Sequence, residues 1–380
     1  MLFVISKVSG FLKIFGDYNR LKENFLEQRI ELSIIIVHYK TRELTLQCLR
    51  SIREFSPRVS HEVILIDNGS QDGIGNEISK EFPEVRLIET GRNDGFSRAN
   101  NLGIVNAHGR YILLLNSDTK IIEPVFDRLV QSMDSRPDVG CAGPQHVGGD
   151  RKHQISYGKF PNFFTEILRK IVNYRVALND PNIRGQIREF CSIEQAVDWL
   201  SGSCLLLRRE ALHQAGLLDE AFFMYFEDID LCKRIHNWGW KIVFCPMLKI
   251  LHYGGQSIKK NVLAGLVAYR QSQIHFARKY YGRQGDYVVR ILLFLKFGAI
   301  AARALMEFAA NKLRRRNTET AYIKMLLSKK VFGIIFQHNK MRPVEPELNF
   351  DDLEKIDHFL GLIKMKCVEK EGALVEQGKV

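Results

Sequence analysis

The apolar run LLLNSDT ends in Asn116, Ser117 and Asp118. A carboxylate at the end of a buried strand suits a hard divalent cation, which takes one or two protein carboxylates and completes its shell with water and phosphate oxygens. Such a cation neutralises charge developing on a diphosphate leaving group. LIDNGSQDG places Asp67 in the same way, followed by Asn68, Gly69 and Ser70. That carboxylate either caps the next turn or accepts a hydrogen bond from a base or ribose, and the small residues beside it let a ligand approach the backbone. GRNDGFSRANNLG sets Asp94, Arg98, Asn100 and Asn101 between a strand and a helix. Arg98 could meet a phosphate and the asparagines a sugar, or the same residues could serve a turn and a helix cap.

The densest group is GLLDEAFFMYFEDIDLCKRIHNWGWKI, with Asp219, Glu220, Glu227, Asp228 and Asp230 on either side of the bulky run Phe222–Phe226. Acids in a first helical turn are favoured by the helix dipole, which is one reason for them to be here. Aromatic neighbours also make a partly dry wall, in which a carboxylate can act as general base toward an acceptor hydroxyl. LKILHYGGQS sets His252 just past a short apolar strand. A histidine there is either structural or a contact for metal (as neutral imidazole) or phosphate (as its cation).

The elements around these groups alternate. LSIIIVH (32–38), EVILID (62–67), VRLIE (85–89) and YILLLN (111–116) read as strands, with helices over 43–55, 75–81 and 98–107 between them. Strands alternating with helices predict an α/β fold with a mostly parallel central sheet flanked by helices. Ligands of such sheets bind beyond the carboxyl ends of the strands, which is where the acids fall. WLSGSCLLLRREAL (199–212) adds a strand and a helix. Residues 145–196 show weak periodicity and read as irregular structure with some helix beside the acceptor. The expected division is an amphipathic helix over 1–30, a catalytic domain over 31–284 (donor half 31–143, acceptor half 144–284) and a basic helical extension over 285–380, with a long apolar helix at 286–313.

The chain has 380 residues and a net charge of +12. Thirteen Lys/Arg against two acids between Lys259 and Arg316 supply +11 of it. Those cations accompany an apolar helix and not an aromatic stacking platform, which argues against nucleic acid as partner. Seven widely spaced cysteines with no CxxC pair read as reduced thiols in a cytosol-facing protein and exclude a disulfide framework. The first residues, MLFVISKVSGFLKIFG, have no small-residue cleavage site for a signal peptide.

Taken in order, IIIVHYK, LIDNGSQDG, NDGFSRANNLG, LLLNSDT, SGSCLLLRRE, GLLDEAFFMYFEDIDLCKRIHNWGW and ILHYGGQS resemble the inverting glycosyltransferases of family 2, over about 32–257. Within that family the chain looks most like rhamnosyltransferase-type enzymes of bacterial surface polysaccharide synthesis. The resemblance implies a GT-A fold with Mg2+ or Mn2+ as cofactor and a dTDP- or UDP-linked sugar as donor. It makes Tyr39 and Asp67 contacts of the nucleobase, Asp94 and Arg98 neighbours of the ribose and diphosphate, and Asp118 the metal-binding acid. Asn116 and Ser117 belong to the donor site in the same motif. Asp228 matches the catalytic base, Glu227 its partner, and His252 a histidine that completes the metal site. Two positions depart from the pattern: Asn116 stands where a full DxD motif has its first acid, and His38 follows the first strand in place of a small residue.

The expected activity is metal-assisted single displacement of a sugar, with rhamnose the first candidate, onto a glycan or lipid-linked hydroxyl. A sugar-nucleotide pyrophosphorylase would need a glycine-rich phosphate loop after the first strand, where this chain has HYKTRE. An inactive scaffold is the other alternative, and the intact acids argue against it. In 291–310, Lys296, Arg303 and Glu307, continued by Arg314, make one polar stripe, which predicts a helix lying in an anionic membrane surface with Arg283, Arg290 and 314–316 near headgroups. A helix buried on the catalytic domain, or a homodimer interface, is the rival reading. Placement on the cytoplasmic side of the membrane would suit a lipid-linked acceptor.

Overall fold

LSIIIVH and YILLLN are apolar at nearly every position because both faces of the strands they form are covered. In the structure, a computed structural model, β1 (Leu32–His38) and β4 (Tyr111–Asn116) sit side by side at the centre of the sheet. Successive side chains of a strand point to opposite faces. Ile34 and Ile36 therefore join one core, and Ile35 and Val37 the other. Each such side chain is worth about 1.5–3 kcal/mol when fully buried, so the central strands anchor both layers. The structure describes residues 30–336 apart from 150–152, 163–164, 166–170, 173–174, 176–179, 255–261 and 315–316. The amphipathic helix expected over 1–29 and the tail beyond 336 lie outside the described residues.

The remaining strands are β2 (His61–Asp67), β3 (Arg86–Glu89), β5 (Thr119–Ile121), β6 (Val139–Val147), the short β7 (His153–Gln154), β8 (Tyr157–Gly158), β9 (Gln195–Ala196) and β10 (Trp199–Leu200), β11 (Cys204–Arg208) and β12 (Lys241–His252). The sheet runs β3-β2-β1-β4-β11-β6-β12-β5. β3, β2, β1 and β4 are parallel, as are β6 and β12, while β11 and β5 run against their neighbours. Helices α1 (Arg42–Glu54), α2 (Ile74–Glu81) and α4 (Val125–Asp134) cover one face. Helices α3 (Phe96–Val105), α6 (Arg209–Ala215) and α7 (Glu227–Asn237) cover the other. The poorly periodic 145–196 segment contributes β7, β8, β9 and helix α5 (Pro181–Phe190), too short or too polar to leave a clear pattern.

The long helix begins well before the expected residue 286. α8 runs from Val262 to Leu313 and breaks at Gly282, whose φ of 64° and ψ of −157° are open to glycine without strain. It pairs with α9 (Glu319–Phe336) through Leu263, Val267, Leu293, Phe297, Ile323 and Val331. Arg290, expected near headgroups, is instead buried: its Nε bonds Asp286 Oδ1 at 2.6 Å and its guanidinium reaches the carbonyls of Ile334 and Ile335. Those carbonyls lie in the last described turn of α9, so the buried guanidinium ties α8 to that turn. Among the described residues, no helix is long and apolar enough to cross a membrane.

Candidate functional site

The carboxyl ends of β1, β2 and β4 lie on one rim, with His38 opposite Asp67 and Val37 opposite Asn116 in register. The chain turns out of β4 through Ser117 and Asp118 into β5, which pairs with the end of β12 so that Thr119 faces His252. The Asp118 carbonyl accepts the Tyr253 N–H at 2.9 Å. This pairing brings together two residues 134 positions apart: His252 Nε2 stands 3.3 Å from Asp118 Oδ1, and both side chains are largely buried.

The tautomer of His252 follows from its neighbour. Gln154 donates its Nε2 to the His252 carbonyl at 3.0 Å, so its Oε1, 3.0 Å from Nδ1, accepts the Nδ1 proton. In the neutral ring, Nε2 then presents a lone pair toward the Asp118 carboxylate. Asn116 Nδ2 lies 3.5 Å from the same nitrogen, and Asn116 Oδ1 is buried with no hydrogen-bond partner. Two acceptors facing each other beside an orphaned amide oxygen are a donor set for a cation. No group of three His, Cys, Asp or Glu converges among the described residues, so the protein supplies a partial shell. That fits a divalent ion whose remaining ligands are phosphate and water.

Asp228 opens α7. Its Oδ2 accepts the Gly202 N–H at 2.9 Å and its Oδ1 accepts the Ile229 N–H at 2.8 Å. The next residue of that loop, Ser203, accepts the Asn116 N–H on its carbonyl at 3.0 Å. Gly202 and Ser203 thus tie the turn that carries Asp118 to the carboxylate of Asp228. Burial holds the Asp228 carboxyl above its ordinary value, against the lowering effect of the two amides. Glu227, 5% exposed, is pushed well above its ordinary value, first by burial and then by the Asp228 charge, and its Oε2 has no partner. The two residues before it, Tyr225 and Phe226, hold φ of 71° and 69°. Left-handed backbone at two consecutive bulky residues is strained and has to be held by its surroundings. Here Phe226 packs into a cluster with Phe222 and Phe276.

The donor-side residues divide. Asp67 Oδ1 accepts the Ser70 N–H at 2.9 Å, so one oxygen caps the turn. Tyr39 is half-buried in a loop fastened to that turn by the Lys40 N–H on Ser70 Oγ at 3.0 Å. Asp94 accepts from Arg92 Nε at 2.8 Å, and Arg98 lies between Asp94 at 4.0 Å and Glu220 at 3.9 Å. Ser117 Oγ is 3.0 Å from Thr41 Oγ1. Asn101 fixes a loop: it bonds the Leu218 carbonyl at 2.9 Å and the Leu218 N–H at 3.0 Å. Gly95 lies against Phe223, where a Cβ would sit 2.6 Å from the ring, and the Phe96 N–H bonds the Phe223 carbonyl at 2.7 Å. That contact staples the NDGFS segment to the aromatic run before Glu227.

His38 gains a physical reason. Fully buried, it meets Thr45 Oγ1 at 2.8 Å through Nδ1 and Asp72 at 3.1 Å through Nε2, while Asp72 also accepts the Ile74 N–H that starts α2. A small residue there could not bridge Thr45 of α1 and Asp72 ahead of α2. Sequence reasoning did not single out Gln154, Gly202 or His146, whose Nδ1 meets Ser203 Oγ at 3.1 Å. Gly202 lies in the SGSC segment without an acid or base to mark it, Gln154 and His146 lie in the poorly periodic stretch, and only the fold brings them to the rim.

The family model for Glycosyl transferase family 2 matches residues 33–216. Asp67, Asp94 and Asp118 fall inside that match, and Asp228 and His252 beyond it. The chain is 30% identical over 225 residues to N-acetylglucosaminyl-diphospho-decaprenol L-rhamnosyltransferase of Mycobacterium tuberculosis, which covers 56% of this chain and 73% of that protein. It is 32% identical over 203 residues to Rhamnosyltransferase WbbL of Escherichia coli, covering 51% of this chain and 73% of that protein. A solved structure, mannosyltransferase PcManGT from Pyrobaculum calidifontis in complex with GDP-Man and Mn2+, aligns at 17% identity with a TM-score of 0.45, over 80% of this chain and 86% of that one.

Proposed function

The chain belongs to glycosyl transferase family 2 and is an inverting glycosyltransferase that draws on a nucleotide-activated sugar, and we propose on that premise that it moves rhamnose from a dTDP-linked donor to a hydroxyl of a lipid-linked glycan. The observation that carries the site is the His252–Asp118 pair at 3.3 Å on a rim tied to Asp228 through Gly202 and Ser203. The relatives named above support rhamnose and a diphospho-polyprenol acceptor.

In this reading Asp118, His252 and Asn116 Oδ1 would hold Mg2+ or Mn2+, which when bound offsets the charge of the departing diphosphate. Tyr39 and Asp67 border the base, with the free lone pairs of Asp67 turned to it. Asp94 and Arg98 flank the ribose and diphosphate, and Ser117 closes the loop beneath them. Asp228 takes the acceptor proton as the hydroxyl attacks the anomeric carbon from the face opposite the leaving group. Its two backbone hydrogen bonds hold one rotamer, and its raised pKa makes it a better proton acceptor than an exposed aspartate. Glu227, buried and tending to stay protonated, keeps a second full negative charge away from the base. Residues 31–143 form the donor half, 144–284 the acceptor half and 285–380 the extension. The enzyme works from the cytoplasmic side, held peripherally at the membrane that carries its acceptor.

Donor hydrolysis across dTDP- and UDP-sugars, with Mg2+, Mn2+ or chelator, tests this. We expect fastest turnover of dTDP-rhamnose, loss of turnover on chelation, and weaker nucleotide binding in Asp118→Ala. Absence of hydrolysis with every donor and either metal would instead support the inactive-scaffold reading.

A further inference from the structure

Beyond Gly282, α8 presents two chemically different sides. One side packs on α9 through Leu293 and Phe297, and Ala304 farther along is buried. The opposite side leaves Ile291, Leu292, Leu295, Leu305, Met306 and Leu313 exposed, with Leu295 at 61% and Met306 at 67%. At about 100° per residue, these residues fall on one broad arc directed away from α9. The exposed Lys296, Arg303 and Arg314 follow one another along one edge of that arc, and exposed Lys312 lies at the other.

Both acids of 283–313 are engaged elsewhere. Asp286 bonds Arg290 at 2.6 Å, and Glu307 bonds Lys324 of α9 at 2.7 Å. Glu307 therefore leaves the polar stripe read from the sequence, and the edge that remains is wholly cationic.

We propose that this outer side of residues 283–314 is a docking surface for an anionic bilayer, with the helix lying in the headgroup plane. An apolar arc edged by cations matches the boundary between acyl chains and anionic headgroups. The region from Val288 to Leu313 spans about 39 Å at 1.5 Å per residue, a long line of contact. A second copy of the chain fits less well. Two such faces would bring Arg303 and Arg314 of each copy together, with no carboxylate among the described residues of that face beside them. The surface deepens the reading above, which puts the acceptor at a membrane, but its chemistry does not depend on that acceptor.

The test is flotation of the full chain with vesicles of pure phosphatidylcholine and of phosphatidylcholine with 30% phosphatidylglycerol. The wild type should bind the anionic vesicles, and more weakly at high salt. Leu295→Asp with Met306→Asp should abolish binding. Lys296→Glu with Arg303→Glu and Arg314→Glu should weaken it roughly a hundredfold or more, since each cation near the surface contributes about a fivefold factor. Both variants should keep wild-type donor hydrolysis, which reports an intact catalytic domain. Unchanged vesicle binding in both variants overturns the proposal, as does equal wild-type binding to neutral and anionic vesicles. A dimer that Leu295→Asp with Met306→Asp converts to monomer, without loss of vesicle binding, overturns it in favour of a second copy. Failure of donor hydrolysis in the wild type would count against the transfer reading alone.

Discussion

Lys279 Nζ lies 2.6 Å from Asp230 Oδ1 and bridges onward to Asp219 Oδ2 at 2.7 Å. Asp230 is fully buried two residues after Asp228, and Tyr280 OH and Arg234 Nε complete its partners at 2.8 and 2.9 Å. His275 and Lys279 hold the Asp219 carboxyl well below the usual carboxylate range. One helix, α8, thus grips both ends of the strained aromatic run that leads into Glu227 and Asp228.

Lys279→Met should therefore lower kcat as well as stability, although Lys279 is placed at no substrate. Loss of a hydrogen bond to a buried carboxylate costs on the order of 2 kcal/mol. Lys279→Arg should restore most of both. Thermal unfolding and steady-state kinetics check this, and a stability loss with unchanged kcat would show that the grip does not position Asp228.

Asp228→Asn should reduce kcat by about 10²–10⁴-fold, the usual contribution of a general base, while nucleotide binding stays within a fewfold by calorimetry. Because the base must be ionised, kcat should rise with pH through the raised pKa of the wild-type carboxyl. The acid limb should fall above about 3.9, the ordinary aspartate value. Normal turnover of the Asn variant would move the base elsewhere.

Glu227→Gln should raise the Tm at neutral pH, because it replaces a buried carboxylate without a partner on Oε2. The folded-state pKa of Glu227 is raised, so protonated Glu227 favours the fold and that contribution fades as pH climbs through the folded value. Below the unfolded pKa of about 4.3, wild type and variant should melt alike. Their curves should separate above it and become parallel once the wild-type group is ionised in both states. Equal Tm across the whole range would mean that Glu227 is matched by a partner in solution.

Gln154→Leu removes the acceptor that fixes the His252 tautomer. Outer partners of metal-ligating histidines are worth about 10–100-fold in metal affinity, so the Mn2+ concentration for half-maximal donor hydrolysis should rise by that factor, with kcat at saturating metal little changed. An unshifted requirement would remove His252 from the cation site.

Hydrophobic patterning was enough to place the strands, because LSIIIVH and YILLLN can be buried only in a covered sheet, and with them the rim at which Asp67 and Asp118 had to lie. It also marked the acids of α7, whose spacing a helix start favours. Which of these residues meet depends on how the strands pair. The antiparallel pairing of β5 with β12 puts Asp118 against His252, and the turn at Gly202–Ser203 links Asn116 to Asp228. Such contacts join positions 134, 87 and 26 residues apart, and no local periodicity records them. For the same reason Arg290 and Glu307 read as membrane-facing in the sequence: a helix shows its own stripe, but only packing against α9 reveals which side is already taken.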